Sequence, residues 1–293
     1  MLRLLRSLIL HRHLLKDFVV RDLKGRYVGS SMGFFWSVVY PILNLCIYVF
    51  VFRIVLNVRF SDGAAEEMVA LWMLAGITVW TAFSETVSRS TNTLVENANL
   101  IQKVVFPTEV LPVFLTISSL VNMLIGVPVV LIGVLWFSGG AGAAEAAPAV
   151  GALLAPREPE MRALSLGLPL VCLPLLMALQ AIFTVGLGYF LSTLNLFLRD
   201  TYHLVGVLVT IWMFGTPIFY PPQMVARAKD GIFAWILEAN PLHWLITCYR
   251  DILLFASWPD PMVILRFALL SLVVFMIGAR FFNSQKQRFP DLL

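Results

Sequence analysis

Long apolar runs alternate with short polar segments along most of the chain. An apolar run of about 20 residues crosses a bilayer as a helix, because lipid offers no hydrogen-bond partner to unpaired backbone groups. Six runs reach that length. They are Phe34–Leu56, Met68–Ser88, Val110–Phe137, Pro169–Leu194, Thr201–Tyr220 and Met262–Phe282. The pattern therefore predicts an all-α integral membrane protein with six spans, built as a single domain over residues 1–293.

Three shorter patterns predict helices that do not cross. In Met1–Val19 most apolar side chains fall on one face, which predicts an amphipathic helix lying in the membrane interface. Between spans five and six, Ile232–Leu237 and Leu242–Phe255 are apolar but are interrupted by proline and charge. Two short interfacial or re-entrant helices are predicted there, within an outer gate segment 221–261. A purely structural hairpin is the alternative.

Composition favours a membrane protein over a soluble enzyme. Hydrophobic residues make up 59% of the chain and charged residues 13%, whereas soluble domains carry about 25% charged residues. The three cysteines form no CxxC pair, so neither a disulfide framework nor a zinc site is predicted.

The positions of lysine and arginine predict the orientation. Basic residues concentrate before span one and after spans two, four and six, and these segments share one side if the chain crosses six times. That side is the cytosol by the positive-inside rule, so both termini are predicted to be cytosolic. The net charge of +4 follows from this bias and requires no nucleic-acid partner. The predicted parts are an interfacial segment 1–33, a bundle 34–282 with an external loop 138–165, and a cytosolic tail 283–293.

One face of span one carries a stripe of aromatic and amide side chains. It comprises Trp36, Tyr40, Asn44, Tyr48 and Phe52, spaced four residues apart. An asparagine at mid-membrane is costly unless it meets water or a polar partner. The stripe is interpreted as the lining of a substrate path, and an aromatic seam between helices is the alternative.

The polar segment Asn92–Lys103, after span two, has the pattern of a short docking helix. Such a helix can insert apolar anchors into the groove of a soluble partner and place amides around the rim. The hydrogen-bonding side chains are Asn92, Glu96, Asn97, Asn99 and Gln102, and the apolar ones are Leu94, Leu100, Ile101, Val104 and Val105. Because Pro107 restricts the backbone, displacement of this helix is expected to reach span three. A solvated loop is the alternative.

Catalytic residues do not occur in any recognisable spacing. The chain has no Gly-Lys-Ser/Thr triplet, so a P-loop for ATP is excluded. The four histidines lack metal-ligand spacing, and no carboxylate pair lies in mid-span as a proton relay requires. Glu85 and Arg89 are interpreted as an i,i+4 ion pair. The sequence therefore predicts a transport subunit with no catalytic residue, metal site or cofactor of its own.

Five segments of the chain carry a family resemblance. They are RDLKGRYVGSSMGFFW at 21–36 with Pro41, NLIQKVVFPTEVLP at 99–112, NLFLRD at 195–200, TPIFY at 216–220 and NPL at 240–242. In this order they resemble the polysaccharide-export permeases. These are the membrane halves of ATP-binding-cassette transporters that export O-antigen, capsule or teichoic acid.

The resemblance implies a multi-pass protein of the bacterial inner membrane that forms a homodimer. It also implies two copies of a separate nucleotide-binding ATPase subunit, which would bind ATP and Mg²⁺. The implied substrate is a lipid-linked polysaccharide, with the O-antigen of lipopolysaccharide as first choice, and membrane lipids are further partners. The alternatives are export of teichoic acid, capsule, a small drug or a lipid by the same architecture. A membrane-embedded glycosyl- or acyltransferase is the alternative from a different class.

The resemblance also implies roles for particular residues. The stripe of span one would line the substrate path. Contacts with the ATPase would come from Asn92, Glu96, Asn97, Asn99, Leu100, Gln102 and Lys103, and the outer gate from Phe219, Tyr220, Trp235 and Trp244.

Overall fold

The computed structural model describes residues 2–26, 66–104, 106–138, 164–220 and 232–293, together with positions 36, 39, 42, 43, 46, 47, 50, 51, 55 and 222. Within these residues the regular elements are helices, and an isolated bridge joins Ser165 to Phe255. The predicted all-α class is therefore confirmed for the described chain. Most of the first predicted span and most of the predicted external loop lie outside the described residues.

The described helices have the following bounds. Helix α1 covers Leu2–Leu10, α2 Arg12–Gly25, α3 Glu66–Glu96, α4 Ala98–Lys103, α5 Val110–Ser138, α6 Leu173–Phe197, α7 Thr201–Gly215, α8 Ile232–Ala239, α9 Pro241–Leu254, α10 Pro261–Gln285 and α11 Phe289–Leu292. Short 3-10 turns over Leu168–Cys172 and Lys286–Arg288 precede α6 and α11.

Four helical stretches of the described chain are long and apolar enough to cross a membrane. They are Val69–Glu96, Val110–Ser138, Leu168–Phe197 and Pro261–Leu292, and they correspond to the predicted spans two, three, four and six. Helix α7 is apolar but has 15 residues, so the predicted end of the fifth span at Tyr220 is wrong. Thr216 is extended because it precedes Pro217, whose ring disfavours helical geometry in the residue before it.

Helix α3 is the central helix of the bundle. Its membrane-length segment is 72% buried, against 22–33% for the other three, and it packs on α5, α6, α7 and α9. Contacts with α5 run from Thr78 with Gly126 to Leu71 with Gly133, so these two helices are antiparallel. Contacts between the other helices show in the same way that α3, α6 and α10 run in one direction and α7 in the other.

Helices α6 and α10 cross at glycines. A Cβ atom at Gly186 would lie 2.6 Å from the backbone of Phe275, and one at Gly278 would overlap the carbonyl of Gly186. Apolar side chains gain little from leaving lipid for another helix, so small residues that permit close backbone approach are typical of such crossings.

The bundle has two ends with separate apolar cores. We call the base the end where α1, α2, α4 and α11 lie, and the top the end where α8, α9 and residues 216–220 lie. The core at the base includes Leu94, Ile101, Phe114, Tyr189, Phe282 and Phe289, with Leu8, Leu15, Phe18 and Val19 packed against it.

The amino-terminal segment forms two helices that cover the base. A single helix over Met1–Val19 was predicted, but the chain turns at His11 and α2 continues to Gly25. Four of the side chains predicted to share one apolar face, Leu8, Leu15, Phe18 and Val19, pack on the base core. Part of the surface expected to meet lipid is thus covered by protein.

Candidate functional site

The open face of α3 is polar. From Leu71 to Leu94 most of the helix is buried, and every position that is not buried carries a polar side chain. These positions are Thr78, Thr81, Ser84, Glu85, Ser88, Arg89 and Asn92. They recur at intervals of three and four residues, so they share one side of the helix. A face turned to lipid is normally apolar, which indicates that this face borders a polar space.

That space is a cavity of about 620 Å³ between α3, α5 and α7. Its volume falls within the range of ligand pockets, about 300–1,000 Å³. The described lining residues are Arg26, Trp36, Ile77, Thr78, Thr81, Ala82, Ser84, Glu85, Ser88, Ser119, Asn122, Met123, Gly126, Gly206, Val209 and Thr210.

Trp36 is the member of the predicted span-one stripe that the structure describes. It lines the cavity and is 44% exposed. The other four members, Tyr40, Asn44, Tyr48 and Phe52, lie outside the described residues. Their role in a substrate path stays a prediction.

Hydroxyl groups of the cavity wall are held by the helix backbone. Thr78 and Thr81 each donate to the carbonyl four residues earlier at 2.7 Å, and Thr210 does so at 3.0 Å. Such bonds satisfy a hydroxyl proton inside an apolar medium. The hydroxyl oxygen keeps its lone pairs, so it can still accept a hydrogen bond from a ligand.

Two charged side chains of the cavity lining, Arg26 and Glu85, belong to a cluster of four that also includes Asp22 and Arg89. Arg26 lies 3.2 Å from the carboxylate of Asp22 and 2.5 Å from that of Glu85. Arg89 pairs with Asp22 and, at 3.1 Å, with Glu85. The two cations balance the two anions, and the cluster joins the end of α2 to α3.

The charge cluster keeps Asp22 ionised. Burial alone would raise the pKa of Asp22, but the hydrogen bond from Arg89 and the positive charges of Arg89 and Arg26 outweigh it, so the pKa is lowered. The predicted Glu85–Arg89 pair is present. The sequence analysis did not predict that Asp22 and Arg26, at the end of α2, contact this pair. The spacing of charges within α2 does not reveal which other helix they meet.

The segment Asn92–Lys103, predicted as one docking helix, is bent, and we call this bent segment the elbow. Helix α3 continues to Glu96, the chain turns at Asn97, and α4 covers Ala98–Lys103. A single helix over Asn92–Lys103 is therefore wrong. Within the elbow, Glu96, Asn99, Gln102 and Lys103 are exposed, whereas Asn92, Asn97 and Leu100 are half-buried.

The described apolar side chains of the elbow divide between the protein interior and its surface, and Leu100 is half-buried. Leu94 and Ile101, predicted as anchors for a partner, are buried in the base core. Val95 and Val104 are exposed, and Val105 lies outside the described residues. Any docking surface here is therefore more polar than the sequence suggested.

Two half-buried asparagines hold the elbow in place. Asn97 donates to the carbonyl of Thr93 at 2.8 Å. Asn92 accepts from the side-chain amide of Asn195 at 3.3 Å, and Asn195 accepts from the backbone of Tyr202 at 3.2 Å. Asn92 thereby links the end of α3 to the turn between α6 and α7.

The start of α5 is tied to the end of α10. Lys286 pairs with the carboxylate of Glu109, and the Tyr189 hydroxyl donates to the Glu109 carbonyl at 2.9 Å. Burial acts to raise the pKa of Glu109, but hydrogen bonds, first that from Lys286, lower it overall. Phe289 is fully buried against Phe282. The predicted tail 283–293 is thus folded onto the base beside α4.

At the top, Asn240 joins α7 to α9. Its Oδ1 accepts from Trp212 Nε1 and from the backbone amide of Leu242, both at 3.0 Å. Its Nδ2 donates to Thr216 Oγ1 at 2.9 Å and to the Gly215 carbonyl at 3.2 Å. These bonds satisfy both ends of the buried amide. The segments TPIFY and NPL, separate in the sequence, meet at this side chain.

Arg250 is buried where α9 meets α3. Its guanidinium donates to the carbonyls of Trp72, Pro217 and Ile218 at 3.0–3.3 Å and lies 3.1 Å from the centre of the Trp72 ring. Gly76 leaves room for it, since a Cβ there would lie 2.5 Å from the guanidinium. Arg250 thus ties the non-helical segment after α7 to α3, since its donors satisfy carbonyls of both.

The four predicted gate residues have different surroundings. Phe219 is buried in the core at the top, and Tyr220 donates to the Phe214 carbonyl at 2.8 Å. Trp244 donates to a carbonyl of α8 at 2.7 Å, and Trp235 is 69% exposed. A gate formed by these residues stays a prediction.

Comparison with known proteins identifies relatives along nearly the whole chain. Residues 14–254 match the family described as ABC-2 type transporter. The O-antigen export system permease protein RfbA of Myxococcus xanthus is 28% identical over 291 residues, which is 99% of each chain. Two proteins of the same name from Klebsiella pneumoniae are 28% identical over 274 and 273 residues, or 93% of this chain and 92% of theirs.

Proposed function

Because the chain belongs to the ABC-2 type transporter family, we propose that it is the membrane half of an ATP-binding-cassette exporter of lipid-linked O-antigen. A transport subunit, rather than an enzyme, follows from the family. The proposed cargo follows from the names of the relatives, whose likeness to this chain extends over nearly its full length.

The polar face of α3 is the observation that carries the proposal. A glycan has many hydroxyl groups, and burying one without a partner costs about 2–7 kcal/mol. Lipid supplies no such partner, so a glycan needs a protein wall that offers hydrogen bonds through the membrane. The hydroxyl-lined cavity is such a wall, and Trp36 adds a flat amphipathic surface.

The elbow is the proposed contact for a separate ATPase subunit, which would bind ATP and Mg²⁺. Its exposed side chains, Glu96, Asn99, Gln102 and Lys103, lie at the base, where a soluble partner can reach them. Asn92 and Asn97 hold the elbow from within, and Leu100 is half-buried. We assign the latter three to support of the contact rather than to its exposed surface.

The proposed assembly is a homodimer with two ATPase subunits in a bacterial inner membrane. Each chain would cross six times, with Phe34–Leu56 as the first span, α7 within the fifth and both termini in the cytosol. The alternating directions of α3, α5, α6, α7 and α10 are consistent with this topology.

Movement of the elbow would be transmitted to the proposed substrate path through three contacts. Asn92 links it to the start of α7 through Asn195. The Glu109–Lys286 pair links the start of α5 to α10, and α11 lies beside α4. ATP-driven closure of the partner would thereby displace α7, which lines the cavity, and open an outer gate formed by Phe219, Tyr220, Trp235 and Trp244.

Reconstitution with the ATPase subunit tests the proposal. We expect the two chains to co-purify and lipid-linked O-antigen to stimulate ATP hydrolysis and reach the opposite side of proteoliposomes. Hydrolysis of ATP by the purified permease alone, or transport by an unpaired copy, would contradict it. Equal stimulation by a lipid without glycan would favour a lipid exporter instead.

The elbow has its own test. Replacing Gln102 and Lys103 by alanine should lower the recovered ATPase subunit about tenfold, because the exposed polar contacts are lost while the fold is untouched. Lys16→Ala, an exposed lysine of α2, is the control. Equal recovery with both variants would remove the elbow from the contact.

A further inference from the structure

Four hydroxyl groups of the described cavity wall are set to accept hydrogen bonds, whereas the buried hydroxyl of Ser119 has no partner. Thr78, Thr81 and Thr210 use their hydroxyl protons on helix carbonyls, and Ser84 donates to the Thr81 carbonyl at 3.2 Å. What these side chains offer a ligand is oxygen lone pairs. A ligand that donates hydrogen bonds can therefore bind without breaking any bond that the helices already have.

The charged residues of the lining are engaged with each other. Arg26 and Glu85 form an ion pair at 2.5 Å, and Arg26 also contacts Asp22. Phosphate groups bind proteins through cations or through backbone amides that have no other partner. An anion would have to separate Arg26 from two carboxylates that repel it. The cavity thus favours neutral donors over phosphate.

The cavity continues past a glycine of α7. A second cavity, of about 590 Å³, shares Ser88, Gly206 and Thr210 with the first. A Cβ atom at Gly206 would meet nothing within 4 Å. The two cavities therefore adjoin at Gly206, where no side chain stands between them, and together they extend along α7.

We propose that this cavity binds sugar rings of the lipid-linked glycan through their hydroxyl donors and does not hold the diphosphate of the lipid carrier. Trp36 offers the flat surface on which the apolar face of a sugar ring packs, and the threonine oxygens accept from its hydroxyl groups. This inference rests on the proposed function and narrows it to one part of the substrate.

The test removes two acceptors without changing shape. The double variant Thr81→Val, Thr210→Val is compared with Thr86→Val in the permease–ATPase complex in lipid nanodiscs. Thr86 is buried, donates to the Ala82 carbonyl at 2.8 Å and does not line the cavity, so it controls for loss of the same helical bond. The probes are a polyprenyl diphosphate carrying a glycan of several sugars and the same lipid without glycan.

We expect the double variant to need about tenfold more glycan-bearing lipid for half-maximal ATPase stimulation, as the loss of two hydrogen bonds predicts. The response to the lipid without glycan should not change. Thr86→Val should match the wild type for both probes. Equal loss of response to both lipids, or no loss for the glycan-bearing lipid, would overturn the inference.

A second pair of variants tests the site by filling it. Gly206→Phe should block the junction of the two cavities and abolish stimulation by the glycan-bearing lipid. Gly215→Phe, at the far end of the same helix and also facing open space, should not. If the wild-type complex itself does not respond to any glycan-bearing lipid, the proposed function fails. If the wild type responds and Gly206→Phe equals Gly215→Phe, this inference alone fails.

Discussion

Helices α3 and α10 are both long enough to cross a membrane, but their open faces have opposite chemistry. The exposed side chains of α10 include Leu265, Leu269 and Met276 in a stripe at helical spacing, whereas the open face of α3 is polar from Leu71 to Leu94. Exposed Arg266 and Arg280 lie near the two ends of α10, where long side chains can reach the membrane surface.

The difference shows what each helix borders. An apolar open face is compatible with lipid tails, which cannot accept hydrogen bonds, whereas a polar open face at the same depth requires water, a ligand or a partner. The proposed substrate path therefore lies on the side of α3, and the open face of α10 has the chemistry that suits lipid. Both closed faces pack aromatic side chains, and the closed face of α10 also crosses α6 at Gly278.

The closed face of α10 should be the most sensitive to substitution. In Gly278→Val the new side chain would overlap the Gly186 carbonyl, which is backbone and has no rotamer to change. We expect a loss of about 4 kcal/mol or more, seen as absence of folded protein in detergent. Gly206→Ala is the matched control, because its Cβ meets open space and alanine favours helix by about 1 kcal/mol. Similar thermal stability of the two variants would contradict the crossing.

Two arginines sharpen the comparison. Arg250 packs on the closed face of α3, and Arg266 lies on the open face of α10. Arg250→Met should lower unfolding stability by about 3 kcal/mol or more, because each buried carbonyl left unpaired costs about 1–3 kcal/mol. Arg266→Met should change the thermal midpoint little. If both variants lose the same stability, Arg250 does not hold the segment after α7.

A lysine placed at mid-helix distinguishes the two open faces directly. Val273→Lys puts a charge on the lipid side of α10, which costs about 2.5–3.5 kcal/mol at the centre of a membrane helix. Thr81→Lys puts the same charge into the polar cavity of α3, where we expect a smaller loss of folded protein. Equal yields of monodisperse protein from the two variants would show that the faces border the same medium.

The long spans could be predicted from the sequence because a continuous apolar run of membrane length can cross lipid only as a helix. The bounds of α5 and α10 follow the predicted spans closely. The bounds of helices α8 and α9 nearly match those of the two short helices predicted before the last span. The end of α7 could have been placed correctly from Pro217, since the residue before a proline seldom stays helical.

The candidate site could be predicted only in part. The spacing of Thr78, Thr81, Ser84 and Ser88 marks a polar face in advance, but apolar residues dominate that span and obscure it. What the face borders depends on α5 and α7, which the spacing does not identify. Pairs such as Glu109 with Lys286 and Trp72 with Arg250 join residues 177 and 178 positions apart, and such pairs leave no periodic trace.

The smallest expected effect concerns two ion pairs at the base, one made by α3 and the other by a residue just after α10. Asp22 pairs with Arg89 of α3, and Glu109 pairs with Lys286 just after α10. Both carboxyl groups have a pKa below the ordinary values of 3.8 and 4.5, so the folded state binds protons less readily than the unfolded state. Their contribution to stability is therefore complete above about pH 5 and is lost as the pH falls through the lowered values.

Replacing these carboxyl groups tests that contribution. Asp22→Asn and Glu109→Gln should each cost about 1 kcal/mol at pH 7, because both pairs are partly open to solvent. The acid-induced fall in thermal midpoint below pH 4.5 should be smaller in each variant than in the wild type, and smallest in Asp22→Asn, since Asp22 contacts two arginines. Asp17→Asn, exposed on α2, should leave the acid profile unchanged. Identical acid profiles for wild type and Asp22→Asn would mean that the charge cluster does not bind α2 to α3.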